Sequence, residues 1–233
     1  MTDQVQDLKA IYNRRFSLNA AYRNRVWQAL TASFFGSWIG PDATVLDLGC
    51  GYGEFINNVR AGRKLAMDLN PDAPKHLAKG VEFLEQDCSA EWPLPDQTLD
   101  VVFSSNFFEH LPDKICLKRA LHQAFRCLKP GGRLIAMGPN IKCLSGAYWD
   151  FFDHHIPLSE ASLGEALEIE GFAIEKIAPR FLPYTLVNSR EYPIFLLKLY
   201  LALPCIWWIK GRQFLVVAVR PAAGYPEHGK PSI

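Results

Sequence analysis

The stretch ATVLDLGCGYGEFINNV, residues 43–59, decides the fold that this chain adopts. It opens with a short β-branched and aliphatic run, Thr44 to Leu48, which predicts a buried strand. Three glycines follow within five residues, and a helix is predicted from Glu54 to Val59. Glycines between a strand and a helix permit a tight turn and let a ligand approach the backbone closely. The stretch therefore predicts a ligand-binding loop at the end of a first strand.

Strands and helices alternate along the rest of the chain. This alternation is typical of an α/β fold, and we predict a doubly wound, mostly parallel seven-stranded sheet with helices on both faces. Helices are predicted over Lys114–Leu128 and Ser159–Glu170, among others. The six further predicted strands are Lys64–Leu69, Val81–Gln86, Leu99–Ser104, Gly132–Gly138, Phe172–Ala178 and Gln213–Arg220.

The domain organisation is simple. Residues 1–40 read as an N-terminal helical segment, because apolar residues such as Val26 and Leu30 recur at helical spacing. Residues 41–220 are predicted to form the α/β domain, with an apolar and basic helical insertion at 179–211 before the last strand. The tail, 221–233, is polar and rich in proline and glycine, and is predicted to be flexible.

Composition and charge exclude several classes of protein. Hydrophobic residues make up 49% of the 233 residues and charged residues 21%, which excludes intrinsic disorder as the main state. The 25 basic and 24 acidic residues nearly balance, so no nucleic-acid partner is expected. The polar N-terminus lacks the apolar core of a secretory signal, and the six cysteines include no C-x-x-C pair. We therefore expect a cytoplasmic protein with reduced thiols.

Charge is concentrated near the C-terminus. The stretch from Lys176 to Arg220 carries seven basic residues and one acid, Glu191, together with many aromatic residues. Its longest unbroken apolar run, 199–209, is 11 residues, well short of the roughly 20 that cross a bilayer. A buried packing helix, a dimer interface, a wall of an apolar acceptor pocket and a helix resting on a membrane surface all fit this pattern. Peripheral membrane contact through residues 190–212 is one prediction, and the oligomeric state stays open.

Carboxylates around the glycine loop distinguish two classes of nucleotide. Asp68 ends the second strand, where a carboxylate accepts hydrogen bonds from ribose hydroxyls. Dinucleotide folds need G-x-G-x-x-G with a helix N-terminus facing a pyrophosphate, but Glu54 occupies the position of the last glycine. Asp47 adds an acid just before the loop. Acids repel a pyrophosphate but tolerate the sulfonium and ammonium groups of S-adenosylmethionine, so the sequence favours this cofactor over NAD.

Four segments in order resemble the successive motifs of class I S-adenosylmethionine-dependent methyltransferases, closest to the small-molecule group that includes the ubiquinone/menaquinone type. The resemblance covers roughly residues 44–178, with a plausible last strand at 213–220. The segments are VLDLGCGYGEF (45–55), AMDLNPD (66–72), FLEQDCSAEWPLPDQTLDVVFSSNFFEHL (83–111) and LKPGGRLI (128–135).

The resemblance implies roles for individual residues around the cofactor. The loop backbone would hold its methionine part, Asp47 would organise the loop, and Asp68 with its neighbour Leu69 would bind the ribose. The remaining implied site residues are Gly49, Gly51 and Gly53 in the loop, Asp87 and Cys88 at the adenine amine, Ser104, Ser105 and Asn106 after the fourth strand, and the Glu109–His110 pair typical of the family. Contact of Arg15, Tyr22 and Arg23 with the carboxylate of the cofactor is one alternative, but these residues are expected at the protein surface.

A candidate catalytic segment, YWDFFDHHIPLS (148–159), follows the fifth strand. In an α/β sheet this connection leaves the edge where ligands bind. Methyl transfer to a hydroxyl requires removal of its proton, and Asp153 is placed to orient His154 or His155 as the base. Helix capping and packing are the alternative roles of these residues. The residue types of this segment fit a metal site of two histidines and one carboxylate, but no metal site is expected, because adjacent histidines point in different directions.

The function predicted from these observations is methyl transfer, with oxygen of a small, lipid-linked or glycan-linked molecule as the favoured acceptor. Methylation of nitrogen or carbon in a small metabolite is an alternative. An NAD-linked oxidoreductase and a non-catalytic, cofactor-binding peripheral membrane protein are two further alternatives.

Overall fold

A single seven-stranded sheet runs through the computed structural model, which describes residues 19–184 and 191–222. Its strand order is β3-β2-β1-β4-β5-β7-β6. Strands β1 to β5 pair in parallel, and β7 lies antiparallel between β5 and β6. The predicted fold class is confirmed. The strands are β1 (Thr44–Leu48), β2 (Arg63–Asp68), β3 (Val81–Glu85), β4 (Leu99–Ser105), β5 (Leu128–Pro139), β6 (Ala173–Ala178) and β7 (Gln213–Val219).

Helices cover both faces of the sheet. The described α-helices are α1 (Ala20–Ser33), α2 (Glu54–Asn58), α3 (Lys114–Cys127), α4 (Ile141–Leu144), α5 (Glu160–Ile169), α6 (Ile194–Ala202) and α7 (Pro204–Lys210). Short 3₁₀ turns occupy Phe35–Ser37, Ala73–His76, Phe108–His110 and Ser145–Asp150.

The buried residues of β1 alternate between two hydrophobic cores. Leu46 belongs to a core with Leu121 of α3, whereas Val45 belongs to the core on the other face with Val26 of α1. Successive side chains of a strand point to opposite faces, so a strand buried on both faces reads as a continuous apolar run. Asp47 breaks that run, and it lies where the sheet meets the glycine loop.

The carboxyl end of β1 is the point where the sheet changes its direction of growth. Strands β2 and β3 are added on one side of β1, and β4 and β5 on the other. The connection after β1 leads toward β2, and the connection after β4 leads toward β5 on the other side. Because the two connections diverge, a crevice opens outside the strand ends. Ligands of open α/β sheets bind in such a crevice.

Two expectations about the N-terminal segment are wrong. Tyr22 and Arg23 were expected at the surface, but both are buried. Val26 follows Arg23 by three positions and Leu30 follows it by seven. Residues at this spacing share one face of a helix, so all three lie on the buried face of α1. The predictions for Arg15, for the rest of residues 1–18 and for tail residues 223–233 fall outside the described residues.

The insertion before β7 folds into α6 and α7, and its residues 185–190 lie outside the described part. Trp207 anchors it, because its ring centroid lies 5.0 Å from that of Phe181 and 5.7 Å from that of Phe34. The insertion leaves and rejoins the sheet at the same edge as the β1 crevice, since Gln213 of β7 pairs with Pro139 at the end of β5. Among the described helices, none has the length and apolar character needed to span a membrane.

Candidate active site

The glycine loop presents bare backbone to the crevice. Gly49, Gly51 and Gly53 have φ angles of +72°, +55° and +74°, in the left-handed region that favours glycine. The N–H groups of Gly49 and Cys50 both donate to the Met67 carbonyl, at 2.9 and 3.1 Å, which fastens the loop to the end of β2. A Cβ on Gly49 would lie 2.2 Å from the ring of Phe107. Only glycine therefore lets the loop and this ring approach so closely.

Asp68 holds the loop from the neighbouring strand. Its Oδ2 accepts a 2.8 Å hydrogen bond from the Gly51 N–H, and its Oδ1 accepts one of 2.8 Å from the Asn70 N–H. Burial raises the pKa of Asp68, and these backbone hydrogen bonds act in the opposite direction. A carboxylate offers about four acceptor positions, so Asp68 can accept ribose hydroxyls while it keeps both bonds. The residues present fit an adenosyl cofactor.

Asp47 lies beneath the loop. It is almost fully buried, and burial raises the pKa of its carboxyl group well above the usual value. A hydrogen bond from the Ile56 backbone opposes that shift, while the charges of Glu54 and Asp68 add to it. Because Ile56 belongs to α2, this bond joins the end of β1 to the helix that follows the loop. The position fits the implied role of Asp47 as organiser of the loop.

An ion pair that the sequence reading missed closes the other side of the loop. Arg23 Nε lies 3.1 Å from Glu54 Oε1, and both side chains are largely buried. Glu54, which follows the last loop glycine, is therefore paired with a cation from α1. The signal was present in the sequence, because Arg23 shares the apolar spacing of Val26 and Leu30.

The carboxyl ends of β2 and β3 carry the residues implied for the adenosine. Leu69 is 48% exposed directly beside the buried Asp68, an arrangement that offers an apolar surface to a base and an acceptor to a ribose. Asp87 is exposed, and its Oδ1 accepts 2.8 Å hydrogen bonds from the backbone and hydroxyl of Ser89. Cys88 is buried in the core, where burial raises the pKa of its thiol to about 12.

The residues at the end of β4 and directly after it differ in exposure and in their hydrogen-bond partners. Ser104 is buried, and its hydroxyl donates to the Leu48 carbonyl at 3.0 Å, so it braces β4 against β1. Asn106 is exposed and adopts a φ of +50°, which turns the chain out of the strand. Its Nδ2 donates to the Ser105 hydroxyl at 2.9 Å, and its N–H donates to the Met137 carbonyl at 2.9 Å.

Four polar side chains meet where β4 and β5 end, and we call them the polar cluster: Glu109, His110, Asp153 and His154. His110 Nδ1 lies 2.9 Å from the Asp153 carbonyl oxygen and 3.2 Å from Asp153 Oδ2. The rings of His110 and His154 have centroids 4.9 Å apart. Gly138, one residue before the end of β5, places the Glu109 carboxylate at this edge, because a Cβ there would lie 3.4 Å from Glu109 Oε2.

Opposing effects set the pKa of His110. Burial lowers it, but the hydrogen bond to the Asp153 side chain and the charges of Glu109 and Asp153 together raise it above the usual value. The Asp153 carboxylate thus stabilises a positive charge on the imidazole.

The predicted catalytic residues are brought together in part. Asp153 does pair with a histidine, because its carboxylate lies 3.2 Å from Nδ1 of His110, 43 residues earlier. His154 is buried, with its ring stacked on Phe151 at 5.1 Å. His155 is exposed, and its N–H donates to the Glu109 carbonyl at 2.8 Å. The sequence reading identified the Glu109–His110 pair only as a family feature, and the fold joins it to the later segment.

Comparisons with known proteins agree with this geometry. Residues 20–177 match the family described as a methyltransferase domain. The chain is 29% identical over 172 residues to the ubiquinone/menaquinone biosynthesis C-methyltransferase UbiE of Enterobacter sp. (strain 638), an alignment that covers 66% of this chain. It spans 64% of that relative's length. The corresponding protein of Salmonella arizonae is 31% identical over 150 residues, which is 57% of each chain.

Solved structures show the same fold. A SAM dependent methyltransferase from Archaeoglobus fulgidus superposes with a TM-score of 0.65 and 21% identity, covering 91% of this chain and 99% of that one. An S-adenosylmethionine dependent methyltransferase from Mesorhizobium loti gives 0.56 and 19% identity, covering 78% of this chain and 93% of that one.

Proposed function

Because this chain belongs to the family of S-adenosylmethionine-dependent methyltransferase domains, we propose that it methylates a hydroxyl oxygen of a lipid-linked acceptor. The observation that carries the proposal is the polar cluster at the ends of β4 and β5, which suits an acceptor that loses a proton. A hydroxyl gives up its proton when it is methylated, and this requires imidazole or carboxylate groups beside the acceptor. The polar cluster contributes two imidazoles and two carboxylates.

The cofactor supplies, when bound, a methyl group that is already activated on a positively charged sulfur. The chain has to hold that cofactor, align the acceptor and exclude water. Asp68 and the exposed Leu69 would hold the adenosine, and the loop backbone from Gly49 to Gly53 would hold the methionine part. The polar cluster would then lie beside the acceptor hydroxyl and handle its proton.

Carbon methylation is the second candidate, and it is supported by the relatives described above, which are named as C-methyltransferases of ubiquinone and menaquinone biosynthesis. Methylation of a ring carbon beside a hydroxyl also releases a proton, so the polar cluster would serve either reaction. The position of the transferred methyl group separates the two candidates.

The test supplies the purified protein and isotopically methyl-labelled S-adenosylmethionine to a lipid extract and, separately, to a polar metabolite extract. We expect a labelled product in the lipid extract, with a methyl signal characteristic of a methyl ether in nuclear magnetic resonance. A methyl group on carbon would replace the first candidate by the second. Label confined to the polar extract would contradict the lipid-linked acceptor, and an Asp68→Ala variant serves as the cofactor-deficient control.

The lipid-linked acceptor is supported by the outer surface of α6 and α7, which we call the apolar helix surface. Large side chains there are exposed, including Phe195 (65%), Trp208 (65%) and Ile209 (69%). Lys198 and Lys210 lie among them. Aromatic and aliphatic residues interspersed with lysines suit the interface of an anionic bilayer. We propose an anionic lipid surface as the occupant, which would bring a lipid-linked acceptor to the same sheet edge.

Vesicle flotation tests the membrane contact. Wild-type protein should float with vesicles that contain phosphatidylglycerol and should float less as salt is raised, because basic residues contribute. The Phe195→Ser/Trp208→Ser double variant should stay at the bottom. Ile169→Ser is the matched control, since Ile169 on α5 is equally exposed at 66%. Flotation that is unchanged in the double variant would contradict the proposal, and a variant that instead dissociates a dimer would assign the surface to a second copy.

A further inference from the structure

We propose that Glu109, His110 and His154 bind one divalent transition-metal ion, with Asp153 as the outer partner of His110. Each of the three residues offers a ligand atom, and these atoms lie within 4.8 Å of one another. They come from two segments more than 40 residues apart, the turn after β4 and the loop after β5. This inference replaces the expectation that the chain has no metal site, which considered only the adjacent His154 and His155.

The hydrogen bonds of His110 prepare its other ring nitrogen for a metal. Nδ1 lies 2.9 Å from the Asp153 carbonyl oxygen, and a carbonyl oxygen only accepts hydrogen bonds, so Nδ1 carries the proton. The lone pair of the neutral ring is therefore on Nε2, which lies 3.9 Å from Glu109 Oε1. Histidines that bind metals almost always donate their other N–H to a carboxylate or carbonyl oxygen in this way.

Backbone contacts hold the three ligands in one frame. The Glu109 carbonyl accepts hydrogen bonds from the N–H groups of His155, at 2.8 Å, and Ile156, at 3.2 Å. These bonds tie the loop that carries His154 to the turn that carries Glu109 and His110. The ring of Phe151 stacks on His154 and limits its rotation. The donor set is thus assembled before an ion binds.

Charge also favours a cation at this position. The Glu109 side chain is 3% exposed and that of Asp153 is 17% exposed, so two carboxylates lie within a mostly buried cluster. Buried carboxylates are paired or coordinate metals, because an isolated buried charge is costly. Both carboxylates already face the His110 ring, and a divalent ion between Glu109 and the two imidazoles would add to this pairing of charges.

The donor set indicates the class of metal. Two histidines and one glutamate are the protein ligands of one class of catalytic zinc site, which leaves a fourth position open. With bonds of about 2.0–2.2 Å, tetrahedral ligand atoms lie roughly 3.3–3.6 Å apart, so the 3.9 Å separation of His110 Nε2 and Glu109 Oε1 closes with a small rotation. Magnesium and calcium prefer oxygen ligands and should compete poorly.

With Glu109, His110 and His154 as its ligands, the ion would take over their part in handling the acceptor proton, because at its open position it would bind the acceptor hydroxyl and lower the pKa of that hydroxyl. This role rests on the proposed function, whereas the binding of the ion does not. The two therefore fail separately: binding is measured without any acceptor, and product formation is measured with it.

The test titrates chelator-treated wild-type protein with Zn²⁺ by calorimetry and with Co²⁺ by visible absorption. We expect one ion per chain and cobalt bands of a nitrogen and oxygen site without thiolate character. Glu109→Gln and His154→Gln should weaken binding by roughly a hundredfold or more, and Asp153→Asn by roughly ten- to hundredfold. His155→Gln is the matched control for metal affinity and should leave it unchanged.

Three results would overturn the site: no stoichiometric binding, thiolate bands that assign the ion to cysteines, or equal affinity in wild type, Glu109→Gln and His154→Gln. Retained affinity for S-adenosylhomocysteine verifies that each variant is folded. One measurement needs no variant, because Zn²⁺ should block modification of His110 by diethyl pyrocarbonate in wild-type protein, as located by mass spectrometry. Unblocked modification would also overturn the site.

Discussion

Asp68 joins two parts of the cofactor site, because one carboxylate oxygen binds the glycine loop and the other binds the turn after β2. We expect Asp68→Ala to weaken the affinity for S-adenosylhomocysteine roughly ten- to hundredfold. A hydrogen bond to a charged group contributes about 1.5–3 kcal/mol, and about 1.4 kcal/mol corresponds to a tenfold change in affinity. Calorimetric titration measures the change.

The matched control is Asp72→Ala. Asp72 lies four residues further along the chain, and its carboxylate pairs with the exposed Lys75 at 2.6 Å. It should bind S-adenosylhomocysteine as tightly as wild type. Equal affinities in the Asp68 and Asp72 variants would contradict the assignment of the cofactor site.

A substitution at Gly49 tests the backbone geometry of the loop without removing a polar group from the cofactor site. An alanine there would adopt an unfavourable φ of +72° and would overlap the Phe107 ring. We expect Gly49→Ala to lower the free energy of unfolding by about 2–5 kcal/mol, with about 1–2 kcal/mol from the backbone and about 1–3 kcal/mol from overpacking. Urea denaturation measures the loss.

Gly131→Ala separates the two contributions. Gly131 has a φ of +82°, and a Cβ there would have no neighbour within 4 Å, so only the backbone cost remains. Adding Phe107→Ala to Gly49→Ala should recover part of the lost stability. If the two glycine variants lose equal stability, the close packing of Phe107 on the loop has no energetic importance.

The placement of residues that are close in sequence could be predicted, but contacts between residues far apart in sequence could not. The glycines, Asp47 and Asp68 lie at or next to strand ends that the apolar runs indicate, so their proximity could be predicted from the sequence. The contact between His110 and Asp153 depends on how the loop after β5 folds back over the turn after β4, which no local pattern encodes. Arg23 is intermediate, because its helical spacing indicated burial but its charge suggested the surface.

At the scale of elements, α5 shows how local signals define a helix. Ser159 caps it by accepting a hydrogen bond from the Ser162 N–H at 3.2 Å, and the Ser162 hydroxyl accepts one from the Ser159 N–H at 3.0 Å. Glu160 in the first turn accepts hydrogen bonds from Asn140 at 2.6 Å and Lys142 at 2.7 Å. The start of α5 is thereby tied to the turn that follows β5.

We expect Glu160→Gln to destabilise the protein by about 1.5–3 kcal/mol at neutral pH, which is the contribution of a hydrogen bond to a charged group. Burial raises the pKa of Glu160, but the hydrogen bonds from Lys142 and Asn140 outweigh it and hold the pKa below the usual value. A lowered pKa in the folded state stabilises the protein above the unfolded-state pKa, near 4.5, and this contribution is lost as pH falls through the folded-state pKa.

Urea denaturation of both proteins over a pH series checks this expectation. The difference in the free energy of unfolding between wild type and Glu160→Gln should be largest at neutral pH and should shrink below about pH 4.5. A difference that is constant across the series would show that the Glu160 charge contributes nothing.

The arrangement of the last two strands shows the limit of element-level prediction. The apolar run of β7 predicted a buried strand, and every residue from Gln213 to Val219 is buried. Its insertion between β5 and β6, antiparallel to both, follows from the path of the 179–211 insertion. That path depends on contacts such as Trp207 with Phe34, which join residues distant in the chain.

At the scale of the whole molecule, the N-terminal helix links the loop and the insertion. Arg23 of α1 pairs with Glu54 behind the glycine loop. One residue earlier, the Tyr22 hydroxyl accepts a hydrogen bond from the Tyr192 N–H at 3.1 Å, just before α6. Arg25 adds an exposed ion pair with Glu191 at 3.1 Å. The cofactor loop and the apolar helix surface are thus attached to the same helix, so order in one region supports the other.

This connection means that cofactor binding should stabilise the whole molecule. At a ligand concentration one hundred times the dissociation constant, binding adds about 2.7 kcal/mol, which for a chain of this size raises the unfolding temperature by roughly 5–10 °C. S-adenosylhomocysteine should produce this shift in wild type, and a much smaller one in Asp68→Ala at the same concentration. NADH should produce none, because Glu54 replaces the glycine that a pyrophosphate needs. A shift with NADH and none with S-adenosylhomocysteine would reverse the choice of cofactor made from the acids around the loop.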